Sequence, residues 1–444
     1  MALGVERRAP WRATPARVQP GRLDSQAAFL GGFAPFDAGD TSGYPELDCV
    51  RRSLPAGALA WAARRAERLG IGADRALIAA RAIDEEAYVR ALGADLGIAF
   101  EPLDGTPRVD CPLDDRALIA KAATGLLLLC ERDRTPLIVV APCTLAVRRL
   151  IRLIRRDPAR AARLRLTTSE RINRFVLRAG GPALVAAATG DLASRWPTLS
   201  AGSQLGRSNY AAVTANAALV LTAAIAAPTV TQMTVELLLS AVFLAWLGLR
   251  LMGAVIGETP PPLERALPDS ALPVYSVIAA LYREAKSVAG LLAAIERLDY
   301  PPEKLDVIIA VEADDGDTRA ALAAIRTKFP ISVIPVPPSG PRTKPKALNV
   351  ALHFARGTFT VIYDAEDRPE PDQLRRALQA FLAGPASLAC VQARLCIDNT
   401  DDSWLAGYYT AEYAGHFDVF MPGLASLGLP LPLGGSSNHF HGIR

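Results

Sequence analysis

From residue 273 onward the apolar positions fall in short unbroken runs. VYSVIAAL (274–281), LDVIIAVEA (305–313), ISVIPV (331–336) and GTFTVIYD (357–364) are rich in β-branched residues. Runs of this length, apolar on both faces, predict buried strands of a parallel sheet. Between them the spacing becomes helical. Val288, Leu291, Leu292, Ile295 and Leu298 share one face, and residues 316–328 predict a second helix. Leu348, Ala351 and Phe354 mark a third, with Pro345 suited to its first turn, and a fourth lies near 371–383. Such alternation predicts an open α/β sheet, mostly parallel, with helices on both faces.

Upstream the pattern changes twice. Tyr210 to Val235 carries no charge, and after Glu236 the apolar run LLLSAVFLAWLGL reaches Arg250 and LMGAVIG. Two apolar segments flanked by charges predict a two-helix transmembrane hairpin over 210–257. Two spans return the chain to its starting side, so both soluble domains are expected to be cytoplasmic on a multi-pass inner or plasma membrane protein. Residues 55–175 read as a small α+β domain. Ala58, Trp61 and Ala62 lead into Arg68-Leu69-Gly70, Asp84 caps the next helix, and 126–129 and 136–141 are short buried strands. The remaining segments are a disordered basic Pro/Gly tail (1–54), a linker (176–209) and a Pro-rich linker (258–272).

Half the residues are hydrophobic, which supplies ample core and agrees with a membrane segment. A net charge of +4 on 49 basic and 45 acidic residues leaves no nucleic-acid footprint. Cys49, Cys111, Cys130, Cys143, Cys390 and Cys396 are scattered without a CxxC pair, so they read as reduced thiols. No secretory signal opens the chain.

Ligands of open α/β sheets bind beyond the carboxyl ends of the strands. Three such ends are polar here: Tyr282-Arg283-Glu284, Glu312-Ala313-Asp314-Asp315 and Asp364-Ala365-Glu366-Asp367. Carboxylates at the last of these offer hard oxygen ligands suited to Mg²⁺ or Mn²⁺. Arg342-Thr343-Lys344-Pro345-Lys346 opens a helix, where basic side chains and free N–H groups suit a phosphate.

The pieces VIAALYREA, VEADDGDT, KPKALNVAL, VIYDAEDRPEP and GGSSNHF, in this order, make residues 273–440 resemble family 2 glycosyltransferases of the processive type, such as cellulose and hyaluronan synthases. The resemblance implies a GT-A, Rossmann-like domain over 273–444. It also implies inverting transfer of a sugar from a nucleoside diphosphate donor, with UDP the expected nucleotide, to a glycan or lipid acceptor. Carried over by position, Tyr282, Glu284 and Asp314 line the nucleoside pocket, Lys346 approaches the diphosphate, and Asp364 and Glu366 form the metal pair. Gly434, Gly435, Ser436, Ser437 and Asn438 match the acceptor-side loop. In the family an acidic base motif lies downstream of that loop, so the base is expected beyond Arg444 of a C-terminally truncated domain. The alternative expectation is a non-catalytic donor-binding or regulatory membrane protein.

The stretch ERLGIGADRALIAARAIDEEAYVRALGADLGIAFEPLD resembles the N-terminal domain of type II secretion ATPases, whose relatives can bind cyclic di-GMP. Arg68-Leu69-Gly70 matches the start of that nucleotide motif, whereas Asp95 stands near an expected Gln. No GxxxxGK[ST] phosphate loop accompanies it, which excludes an ATPase. LYREAKSVAG after the first strand lacks GxGxxG, which excludes a dinucleotide dehydrogenase.

Overall fold

The computed structural model describes residues 43–130, 135–142, 146–200, 207–256 and 267–442. The tail to residue 42, Cys143, residues 201–206 and 257–266 of the two expected linkers, and Arg444 lie outside these residues. From Tyr44 onward the chain is one unit.

Order begins earlier than composition suggests. Pro45–Val50 is a 3-10 turn, followed by α1 (Ala56–Leu69), α2 (Ala73–Ala79) and α3 (Glu85–Leu96). The expected boundary at residue 54 is therefore too late. The reason is a long-range ion pair. Buried Glu46 accepts from Arg148 Nε and Nη2 at 2.8 and 2.6 Å and from the Ala73 amide at 2.9 Å. Gly70 ends α1 at φ 66°, a conformation glycine adopts without strain. Asp84 caps α3 by accepting from Ala87 N at 2.8 Å.

Beside Glu46, the buried Asp74 carboxyl is pushed up to about 7 by burial and by the Glu46 charge. Its Oδ1 has no partner among the described residues. A carboxyl raised in this way keeps its proton in the folded chain after the unfolded chain has lost it. Its contribution is complete below the unfolded value of 3.8 and is lost as pH rises to about 7. We expect stability to fall by about 4 kcal/mol over that interval through this group. Asp74→Asn should remove the slope, as read from urea unfolding at pH 5 and pH 8.

Next come α4 (Asp115–Lys121) and a three-stranded sheet of β1 (Leu126–Cys130), β2 (Pro136–Val140) and β3 (Leu164–Leu166), with α5 (Ala146–Arg156) between the last two. β1 and β2 are antiparallel, β2 and β3 parallel. The segment expected as a linker from 176 is largely helix: α6 runs unbroken over Ser169–Arg195. Gly180-Gly181-Pro182 disguises it in the sequence. Phe175, Val176, Leu184 and Ala188 hold it in place by burial in a core that also contains Leu127, Leu137, Ile308 and Ile334.

α7 (Arg207–Ala226) and α8 (Pro228–Ile256) follow. α8 is long and apolar enough to cross a membrane and is almost wholly exposed, unlike the core helix of a soluble domain. The apolar part of α7, Tyr210–Ala226, is shorter. The inner end of α8 packs on the domain that follows. Trp246 lies 5.2 Å from Phe420, and Arg250 pairs with Glu412 at 2.6 Å. At Gly423 an added Cβ would stand 2.2 Å from Gly253 Cα, so backbone meets backbone there. Gly423→Val is expected to lower stability by about 1–3 kcal/mol through overpacking, measurable as a drop in Tm in detergent.

The larger sheet contains β4 (Tyr275–Leu281), β5 (Leu305–Glu312), β6 (Ile331–Val336), β7 (Phe359–Tyr363), β8 (Cys390–Gln392) and β9 (Asn438–His441), in the order β6-β5-β4-β7-β9-β8. β4 to β7 are parallel, with Val277 opposite both Val307 and Val361. β9 runs antiparallel between β7 and β8, which makes the sheet mixed. The helices are α9 (Val288–Glu296), α10 (Gly316–Ala324), α11 (Lys344–Leu352), α12 (Gln373–Ala383), α13 (Trp404–Ala414) and α14 (Met421–Ser426), with a π-helical segment over Gly415–Phe420.

Alternate strand residues feed two cores. Val277, Ala279, Leu281, Ile309 and Val361 meet α9 and α12. Ile278, Ile308, Ala310 and Ile334 meet α11, α6 and the small sheet. Asn349 of α11 donates to the Ala188 carbonyl of α6 at 2.7 Å. Arg65 of α1 reaches Glu303 with two bonds of 2.7 and 3.0 Å. The N-terminal part and the α/β domain thus share one apolar core, although the pair α7–α8 separates them in sequence.

Candidate active site

The carboxyl ends of β4, β5 and β7 and the N-terminus of α11 meet at one edge of the larger sheet. The turn after β4 is held open by Arg283, a non-glycine residue at φ 58°. Its amide donates to Asp315 Oδ2 at 2.5 Å, and the next amide, of Glu284, donates to Thr318 Oγ1 at 3.1 Å. Burial pushes the Asp315 carboxyl up, but the amides of Arg283 and Thr318 outweigh it and hold the carboxyl below its usual range. Asp315 is therefore a fixed anchor that directs Tyr282 and Glu284 outward from the strand end.

Two groups of side chains stand over this edge. In the first, Arg342 pairs with Asp314 at 2.7 Å and donates to the Tyr282 hydroxyl at 3.3 Å. All three are exposed. In the second, Lys344 forms an ion pair with Asp364 and donates to the Gly435 carbonyl at 3.4 Å. Glu366 is exposed on the same turn. Partial burial raises the Glu284 carboxyl, the negative charge of Glu366 adds to that, and Lys344 opposes it. Partial burial likewise lowers the Lys344 ammonium against the pull of Asp367, Glu366 and Glu284. Four carboxylates thus surround one lysine at the end of β7.

Lys346 is not there. It is buried, with Nζ 3.1 and 3.2 Å from the two Glu312 oxygens and 3.2 Å from the Pro337 carbonyl it donates to. The expectation that it approaches a diphosphate is corrected: Lys344, two residues earlier, carries the exposed ammonium. The physical reason is helical phase. The two lysines flank Pro345 in the first turn of α11, and only Lys346 turns toward the sheet and its buried Glu312.

The loop at 434–438 divides in the same way. Gly434 N donates to Gln392 Oε1 at 2.8 Å, and Gln392 Nε2 donates to the Ser436 carbonyl at 3.1 Å. Ser436 donates to Asp367, whose Oδ2 also accepts from the Asp364 amide at 2.8 Å. Ser437, at φ 54°, donates its amide to the Ile362 carbonyl at 2.7 Å. Asn438 Nδ2 donates to the Gly434 carbonyl at 2.5 Å. Ser436, Ser437 and Asn438 are buried, so only Gly434 and Gly435 remain for contact with a substrate. The other three fix the loop beside Asp364 and Glu366. Gln392, which holds the loop, carries no signal in the sequence, and Asp367, which the sequence offers as one of three hard oxygen ligands, holds the loop instead.

Among the described residues no group of three His, Cys, Asp or Glu side chains is arranged to hold a metal by itself. Asp364 and Glu366 supply two hard oxygen donors on one turn, a set that a ligand's own oxygens would have to complete.

A mixed α/β sheet with polar side chains gathered over its carboxyl edge has them where open α/β sheets bind their ligands. Residues 272–437 match the family model "Glycosyltransferase like family 2". A β-monoglucosyldiacylglycerol synthase from Synechocystis sp. is 28% identical over 152 residues, which cover 34% of this chain and 31% of that protein. Among solved structures, a mannosyltransferase from Pyrobaculum calidifontis in complex with GDP-Man and Mn²⁺ is 26% identical, covering 37% of this chain and 48% of that one, with a TM-score of 0.28. Glucosyl-3-phosphoglycerate synthase from Mycobacterium tuberculosis is 18% identical, covering 41% and 63%, with a TM-score of 0.27. The chain spans about a third of the length of the curated relative it matches.

Proposed function

We propose that this chain is a membrane-bound inverting glycosyltransferase that moves a sugar from a nucleoside diphosphate donor to a glycan or lipid acceptor. The observation that carries the reading is the convergence of Tyr282, Asp314 and Arg342 beside Glu284, Lys344, Asp364 and Glu366 at one sheet edge. Tyr282 and Asp314 offer an aromatic face and a carboxylate to a nucleoside, and Arg342 bridges them. Lys344, at the N-terminus of α11, is placed to exchange its carboxylate partner for a diphosphate. Asp364 and Glu366 fit a Mg²⁺ or Mn²⁺ ion held jointly with that diphosphate, and such an ion offsets the charge of the leaving group. Gly434 and Gly435 present backbone, without a side chain, to the acceptor. Inversion and the processive character rest on the family resemblance over 273–440.

The two-span hairpin of α7 and α8 belongs to the same reading. The segments on either side of the pair share a core, so they lie on one side of any membrane the chain enters. An even number of crossings satisfies that, and a single crossing does not. A cyclic di-GMP response at Arg68-Leu69-Gly70 would have to act through the place where Gly70 backs onto Ser270, where an added Cβ would stand 3.2 Å from the Ser270 carbonyl oxygen.

Calorimetric titration of UDP into the detergent-solubilised chain, with and without Mn²⁺, tests the donor site. Binding that Mn²⁺ strengthens is the expected result. A folded chain that binds UDP in neither condition would overturn the reading.

A further inference from the structure

α13 shows an unusual face. Trp404 is 83% and Tyr408 59% exposed, and Leu405 and Tyr409 are exposed beside them. Residues 404, 405, 408 and 409 fall on one side of a helix. The other side turns inward, where Thr410 bonds Thr400 at 2.7 Å. The one charged residue of α13, Glu412, is bonded to Arg250 of α8 at 2.6 Å. A second exposed apolar stretch follows. Leu429, Leu431 and Leu433 alternate with Pro430 and Pro432 and run directly into Gly434. Proline lacks the N–H that hydrocarbon leaves unsatisfied, so this strap suits an apolar boundary better than most loops.

We propose that α13 and the strap 429–433 lie in the interfacial layer of the bilayer that α8 crosses. The acceptor then reaches Gly434 and Gly435 as an amphiphile held in that leaflet. The proposal rests on the reading of α8 as a membrane span and of 434–438 as the acceptor side. Continuity with α8 names the occupant. The same helix that is apolar and exposed enough to cross a membrane is fastened to this face by Arg250–Glu412, Trp246–Phe420 and Gly253–Gly423. Trp and Tyr are the side chains that favour the boundary between hydrocarbon and water, with rings on the apolar side and polar tips in the headgroups.

The test uses the full chain in phosphatidylcholine vesicles whose acyl chains carry bromine near the headgroup. The emission of Trp404 is the difference between the wild type and Trp404→Phe. Brominated lipid should lower it about twofold, as for an interfacial indole, and aqueous iodide should have little effect. A Leu431→Trp replacement in the Trp404→Phe background reads the strap and should respond alike. Emission open to iodide and untouched by bromine would place this face in water and overturn the proposal. Shielding from both quenchers would overturn it too, in favour of a protein partner or a second copy. UDP binding measured on the same vesicles reports the donor site separately, so failure of one reading is not mistaken for failure of the other.

Discussion

Lys346→Met lowers the stability of the folded chain by about 3–5 kcal/mol, whereas Lys344→Met leaves stability within about 0.5 kcal/mol and weakens donor binding. The two lysines are separated by one proline yet lie in different environments. Nζ of Lys346 is buried against both oxygens of Glu312, itself buried at the end of β5. Removing the ammonium strands an uncompensated carboxylate in the core, where the desolvation penalty has nothing left to offset it. Adding Glu312→Leu should recover part of the loss, because the stranded charge goes with it. Lys344 is partly exposed and pairs with a carboxylate that solvent also reaches, so its loss barely changes folding. Urea unfolding in detergent and UDP titration, run on both variants, separate the two roles. A stable Lys346→Met chain that has lost UDP affinity would return the diphosphate contact to Lys346.

Asp364→Ala abolishes the gain in UDP affinity that Mn²⁺ provides, a loss of about 100-fold or about 2.7 kcal/mol. The sign of its effect without metal is the sharper test. Asp364 holds Lys344, and Glu284, Glu366 and Asp367 crowd the same lysine with negative charge. Deleting one carboxylate frees the ammonium and reduces the repulsion a diphosphate meets. Metal-free UDP binding is therefore expected to be unchanged or tighter in Asp364→Ala, while the Mn²⁺-dependent part disappears. Equal dependence on Mn²⁺ in the variant and the wild type would remove Asp364 from the metal set. Glu366→Ala should show the same pattern more weakly, since the longer side chain is exposed and free to reposition.

The four parallel strands of the six-stranded sheet were legible because a strand buried on both faces leaves a short apolar run, and four such runs alternate with helical spacing. Three of their ends were legible for the same reason, since those runs stop abruptly at polar and charged residues. Three things were not. α6 contains Gly180-Gly181-Pro182, a local signal for a break, and burial against α4, the small sheet and the larger sheet keeps it helical. β9 lies in a polar stretch, GGSSNHF, and becomes a strand because the Ile362 carbonyl and the backbone of β8 are there to pair with it. The choice between Lys344 and Lys346 depends on helical phase and on the position of Glu312, neither of which spacing along the chain reveals. The motif at 434–438 was legible as a motif, and the structure sets it beside Asp364 and Asp367. The division into two outward glycines and three inward polar residues required the partners Gln392 and Asp367.

The shared core also bears on how the protein is made. Arg65 meets Glu303 across 238 positions of sequence, and the apolar face of α6 waits for strands that are synthesised only after α7 and α8. At a translation rate of about 5–20 residues per second, the first domain emerges many seconds before the surface that covers it. During that interval Phe175, Val176 and Leu184 have no native partner from the larger sheet. Synthesis of the helix pair and burial of this face become successive steps of one process, so a delay between them prolongs the life of an aggregation-prone half-protein.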